Sequence, residues 1–142
     1  VATGFLGGVA ALLAVSAAYA AFPGYRQALA AEVLSFLRRV PPGFLATAGV
    51  LAAVGEELFF RGLLQPWLGL VPAAVLFGAL HVSGPRSWLY YALTAACLGL
   101  GLGLLFRVTG SLVAPITAHL TYNLLVTYAL AQGYFPVPED TG

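Results

Sequence analysis

Lysine and methionine are absent from this chain, cysteine occurs once, and charge of either sign is scarce. Each absence excludes something. The single cysteine, Cys97, cannot form an intrachain disulfide, so it carries no information on redox compartment; set amid alanine and leucine, it reads as a small packing residue. Six arginines and five acids serve all 142 residues, which are 8% charged and 61% hydrophobic, whereas a soluble domain carries about a quarter charged residues. A surface so poor in charge suits lipid, not water. The net charge of +1 and the lack of a basic stripe exclude a nucleic-acid partner. There is no internal repeat, low-complexity tract or linker, so one transmembrane domain is expected over residues 1–142. With Val1 first and no methionine anywhere, the chain is expected to be a processed product or a portion of something longer.

What is present is a set of long apolar runs. Val1 to Tyr25, Gly62 to Pro85, Ser87 to Phe106 and Val108 to Pro138 contain no Asp, Glu, Lys or Arg. A spanning helix needs roughly 20 apolar residues, so most of these runs suffice for a crossing. The first lacks a basic start and exceeds a secretion-signal core, which makes it a retained span. The expected fold is all-α, a polytopic bundle of about five spans plus an interfacial amphipathic helix. The spans are placed at about Phe5–Phe22, Gly43–Gln65, Pro72–Val82, Trp88–Phe106 and Leu112–Gln132. Pro66 is expected to stop the second, and the third is short. Ser83, Gly84 and Pro85 form a turn, Ser111 is an N-cap, and Pro115 lies in the first turn of the last helix. Between the first two spans, Leu29, Val33, Phe36 and Leu37 alternate with Arg26, Glu32, Arg38 and Arg39 in the spacing of a helix lying at the interface. Gly99, Gly101 and Gly103 offer the fourth span a face for close helix approach. The tail from Gly133 is expected to be loose.

Five crossings would place Arg26, Arg38, Arg39 and Arg86 on one side and Arg107 on the other, and the arginine-rich side is expected to be cytoplasmic.

Against this apolar background, a few polar residues stand out. Glu56, Glu57 and Arg61 lie between Val50-Leu51-Ala52-Ala53-Val54 and Gly62-Leu63-Leu64. Each such charge at a helix centre costs about 2.5 to 3.5 kcal/mol, so the three together cost something like 5 to 10 kcal/mol before pairing. Part of this is offset locally. Glu57 and Arg61 are four apart and can pair on one face, with the acid in the preferred N-terminal position. Glu56 is rotated about 100° away and remains the spare carboxylate, able to act as a proton acceptor. The alternative is a purely structural ion cluster. Both histidines also lie in apolar helices: His81 follows Phe77 by one turn, and His119 precedes Asn123 by one turn, on a shared face. Either alone reads equally well as a packing residue. Gathered at mid-span with two of the five acids, they point to a common interior cavity.

Such a cluster supports two chemistries. Glu56 with His81 could hold and deprotonate a water while His119 and Asn123 donate to an oxyanion. Alternatively, Glu56, His81 and His119 could ligate zinc with one position open. No HExxH is present, so zinc would draw on three separate helices. Thr117 and Thr121 lie near His119, but no GxSxG flanks them, and they read as hydroxyls bonded to backbone carbonyls. Outside enzymes, intramembrane Glu and His also build proton-coupled transporters, though inverted repeats are missing. A catalytically silent binding or immunity protein is the third reading. Nothing in the sequence fixes an oligomeric state.

Three motifs, taken in order, resemble the CAAX protease and bacteriocin-processing family of intramembrane peptidases, similar to type II CAAX prenyl endopeptidases. The first is Glu56-Glu57-Leu58-Phe59-Phe60-Arg61-Gly62, continuing through Leu63, Leu64, Gln65 and Pro66. The second is Phe77-Gly78-Ala79-Leu80-His81. The third is Gly110-Ser111-Leu112-Val113-Ala114-Pro115-Ile116 followed by His119 and Asn123. The similarity covers about residues 50–125. It implies an integral membrane endopeptidase, expected in the cell membrane of a prokaryote, acting on membrane-associated and in some members prenylated peptides. Carried over, the resemblance makes Glu56 the general base, with His81 helping to bind water. His119 and Asn123 become the oxyanion hole, and Glu57 and Arg61 organise the site. A metal-free glutamate mechanism is favoured, with no cofactor, and zinc is the alternative.

Overall fold

The structure is a computed structural model that describes residues 1–34, 37, 39–82 and 88–135, with the backbone alone for 31–33 and 88. Every regular element among them is helical. Helix α1 is Ala2–Ala21 and α2 is Pro23–Ala28, which runs on into a π-helical turn, Leu29–Leu34. Helix α3 is Pro42–Glu57, followed without a break by a π-helical segment, Leu58–Leu64, and by α4, Gln65–Leu68. Then come α5, Leu70–Ala79, α6, Trp88–Thr109, and α7, Val113–Ala131. The expected all-α bundle is what forms.

Three stretches, Ala2–Ala21, Pro42–Leu68 and Leu89–Thr109, are long and apolar enough to cross a membrane. The other two expected spans fall short for different reasons. Helix α5 has 10 residues, and at about 1.5 Å per residue it reaches only half-way through a hydrocarbon core of about 30 Å. Helix α7 has 19 residues, enough in length, but Thr117, His119, Thr121, Tyr122 and Asn123 lower its hydropathy.

One expected boundary is corrected. Pro66 does not end the second span; it falls in the first turn of α4, and the helical path continues to Leu68. The stop is Gly69, whose φ of 87° reverses the chain into α5. That conformation is open to glycine and strained for other residues. Pro115 does lie in the first turn of α7, but the N-cap is Leu112, which makes no side-chain cap bond, and not Ser111; Ser111, one residue earlier, accepts the Val113 N–H on Oγ at 3.2 Å.

The polar stretch after α1 packs onto the bundle. Tyr25, Leu29 and Leu34 are buried in one cluster with Tyr19 of α1, Leu130 of α7 and Phe135. Expectations for Phe36, Arg38 and Arg86, for the turn Ser83–Pro85, for the tail from Pro136, and for the side chains of Glu32 and Val33 lie outside the described residues.

Helix α7 packs between α1 and α3, α5 lies against α6, and α6 also touches α7. Small residues bring the axes close. A Cβ on Gly8 of α1 would lie 2.5 Å from the Ala118 carbonyl oxygen, and one on Gly78 would lie 2.6 Å from that of Ala92. Gly4, one turn before Gly8, presses on Ala114 in the same way, so α1 carries a small-xxx-small seam of the kind that drives helix association in lipid. Gly8→Ala is expected to destabilise the bundle by about 1–3 kcal/mol through overpacking. Thermal melting in detergent measures this, and an unchanged midpoint would show that α1 can withdraw without cost.

Candidate active site

The site is built around Glu57, the last residue of α3. Its side chain has 0% exposure, and Arg61 Nη1 donates to its Oε1 at 2.8 Å. His119 Nδ1 meets the same oxygen at 2.9 Å from α7. Oε2 is equally buried and has no hydrogen-bond partner among the described residues. The backbone widens into π-helix directly after Glu57, a form common at functional sites because it re-aims side chains.

Arg61 also reaches α6, donating from Nη2 to the Gly99 carbonyl at 2.8 Å. Its guanidinium lies 4.9 Å from the centre of the Phe77 ring, a cation–π contact strengthened by the dry surroundings. One turn on, Gln65 Nε2 donates to the Gly103 carbonyl at 2.9 Å. Two donors four residues apart therefore meet two glycine carbonyls four residues apart. The missing side chains permit the approach, because a Cβ on Gly103 would lie 2.5 Å from Gln65 Oε1. The expected glycine face of this helix is thus Gly99 and Gly103; Gly101 has nothing within 4 Å of such a Cβ.

His81 stands just beyond α5, with Nδ1 2.6 Å from the Phe77 carbonyl oxygen and its ring 5.5 Å from that of Tyr91. A carbonyl only accepts, so Nδ1 carries the hydrogen and Nε2 keeps its lone pair in the neutral ring. Asn123 donates from Nδ2 to the Gly49 carbonyl of α3 at 3.1 Å, which leaves its second N–H uncommitted.

His81, His119 and Asn123 line one cavity of about 350 Å³, together with Phe77, Tyr91 and Tyr122. A second cavity of about 580 Å³, almost wholly apolar, opens between α1 and α6 and shares His119, Tyr122 and Tyr25 with the first. Glu56 stands at the edge of this arrangement. It is half-buried, makes no side-chain hydrogen bond to a described residue, and is close enough to Arg61 and Tyr91 to act on both electrostatically. Ala52, one turn earlier on α3, lines the smaller cavity, whereas Glu56 is not part of its wall. Three of the four residues expected to carry chemistry thus share a cavity, and Glu57, Arg61 and His119 are hydrogen-bonded as a cluster.

No group of three or more His, Cys, Asp or Glu among the described residues is gathered closely enough to hold a metal ion. Glu56, His81 and His119, the set considered for zinc, do not form such a group. Sequence reasoning gave no role to Gln65, Tyr91 or Tyr122. For Gln65 a signal existed: the spacing of Arg61 and Gln65 repeats that of Gly99 and Gly103.

An apolar helical bundle with an ion pair and the His119 imidazole buried among its helices, and with His81 and Asn123 half-buried on a shared cavity wall, defines an integral membrane protein with an interior polar site. Residues 38–125 match the type II CAAX prenyl endopeptidase Rce1-like family, and the chain belongs to that family. This agrees with the resemblance carried by the three motifs. The chain is 43% identical over 70 residues to the uncharacterized protein YpbD of Bacillus subtilis (strain 168), an alignment covering 49% of this chain and 36% of that protein. The similarity therefore spans about a third of the relative's length. No solved structure matches the chain.

Proposed function

We propose that this protein is an intramembrane endopeptidase that hydrolyses a peptide bond of a membrane-associated peptide, with prenylated peptides as first candidates. The observation that carries the reading is the shared cavity of His81, His119 and Asn123, brought together from the end of α5 and from α7 within apolar helices. Glu56 acts as the base. It takes a proton from a water that the Nε2 lone pair of His81 helps to hold, and the water oxygen bonds to the substrate carbonyl carbon. The carbonyl π electrons move onto oxygen, and the second N–H of Asn123 donates to the resulting oxyanion, joined by His119 Nε2 when that ring carries its second proton. Collapse of the tetrahedral species breaks the C–N bond, and protonated Glu56 returns its proton to the departing amine. Glu57 and Arg61 hold His119 in place, with no metal in the reaction. The expected setting is the cell membrane of a prokaryote.

Cleavage itself is the test. Protein reconstituted in liposomes is expected to release fluorescence from a quenched prenylated peptide library, and Asn123→Ala to slow turnover roughly 10²–10³-fold. If the wild type cleaves no member, the reading fails. A proton flux in empty liposomes that disappears with Glu56→Gln would instead favour transport.

A further inference from the structure

With the His119 ring neutral, the hydrogen-bond inventory of the site is one donor short. A tetrahedral oxyanion is best held by two or more donors aimed at it from a dry site. His119 Nδ1 is committed to Glu57 Oε1 at 2.9 Å, and because a carboxylate only accepts, that nitrogen carries the hydrogen. In the neutral ring Nε2 is then a lone pair, which repels an oxyanion. Asn123 has one N–H engaged with the Gly49 carbonyl. Neutral His119 and Asn123 together therefore supply a single free donor.

Tyr122 lies three residues after His119 on α7, on the same face, and immediately precedes Asn123. Its side chain lines both cavities, as His119 does. Its hydroxyl makes no hydrogen bond to a described residue. The neighbouring phenol of Tyr25 differs, because it bonds to Thr94 Oγ1 at 2.9 Å. The residue is half-buried and its hydroxyl is not sealed off, so the O–H is open to whatever fills the cavities it lines. A phenol donor on a cavity wall, uncommitted to any described residue, is available to a ligand that enters the cavity.

We propose that Tyr122 is a further catalytic residue whose O–H donates a hydrogen bond to the oxyanion of the tetrahedral intermediate. The inference rests on the hydrolase reading. Tyr122 transfers no proton; it supplies the donor that neutral His119 lacks, from the junction where the apolar cavity meets the polar one. The interaction exists only once the carbonyl oxygen has become negative, so it favours the intermediate over the bound substrate.

The experiment measures binding, which keeps it separate from turnover. Full-length protein in nanodiscs is titrated with an S-farnesyl-cysteine tetrapeptide whose scissile bond is replaced by a phosphinate, and with the same peptide carrying a ketomethylene bond. Tyr122→Phe is expected to weaken phosphinate binding roughly 10- to 100-fold, the range for a hydrogen bond to a charged group, while ketomethylene binding stays within about twofold. Tyr128→Phe, an exposed tyrosine on the same helix, is the control and is expected to change neither. Equal weakening of both ligands by Tyr122→Phe overturns the proposal, because the phenol would then only shape the cavity. Unchanged phosphinate affinity overturns it too, as does wild-type protein that binds neither ligand. A selective phosphinate loss in a chain that cleaves nothing would show that Tyr122 donates to a tetrahedral anion but would overturn its catalytic role together with the hydrolase reading.

Discussion

Arg61→Met is expected to destabilise the folded protein by about 3–5 kcal/mol, the cost of removing one partner from a buried ion pair. The guanidinium donates to Glu57 and to the Gly99 carbonyl and lies against Phe77. Methionine keeps much of the aliphatic volume but supplies none of these donors. Among the described residues, a carboxylate with 0% exposure is then left with His119 alone, and its second oxygen still has no partner. The surviving charge keeps its desolvation penalty, so losing one member costs more than losing both. The double variant Glu57→Gln, Arg61→Met is therefore expected to recover part of the loss. SDS-driven unfolding of the two proteins in mixed micelles measures both effects. A single variant as stable as the wild type would mean that the helix packing alone sets the position of Glu57.

Glu56→Gln is expected to lower turnover by about 10²–10⁴-fold and to leave the fold intact. Glu56 is half-buried and bonded to no described side chain, so an amide of nearly the same shape disturbs little. Its neighbour responds differently. Glu57→Gln replaces an acceptor shared by Arg61 and His119 with a neutral amide, leaving Arg61 buried without its counter-charge. That variant is expected to melt lower as well as turn over more slowly. Measuring melting temperature and cleavage of the quenched peptides for both variants therefore separates two adjacent glutamates. If Glu56→Gln lowers the melting temperature while Glu57→Gln retains it, their proposed roles are exchanged.

The ion pair illustrates how far the sequence can be read. Glu57 and Arg61 are four residues apart, and helix periodicity alone puts them on one face within reach, as the structure has them at 2.8 Å. The short third helix was legible in the same way, from local composition. The end of the second span was not. Pro66 looked like a terminator, but helix tolerates proline in a first turn, and Gly69 makes the reversal because it adopts a positive φ.

Partners drawn from different helices were harder still. His119 bonds to Glu57, 62 residues away, and Arg61 and Gln65 bond to carbonyls 38 residues away. The gathering of polar residues in apolar helices implied some common interior. Which glutamate would meet which histidine depended on the rotation and depth of each helix, and sequence spacing does not encode those across a loop.

The sequence by itself determined that this chain is a helical membrane bundle and that Glu57 and Arg61 pair along their own helix, because both follow from the cost of polarity in lipid and from the helical repeat. Tertiary structure decided the rest. The close approach at Gly8, Gly78, Gly99 and Gly103 sets how the helices rotate against one another, and that rotation seals Glu57 while leaving Glu56 at the margin.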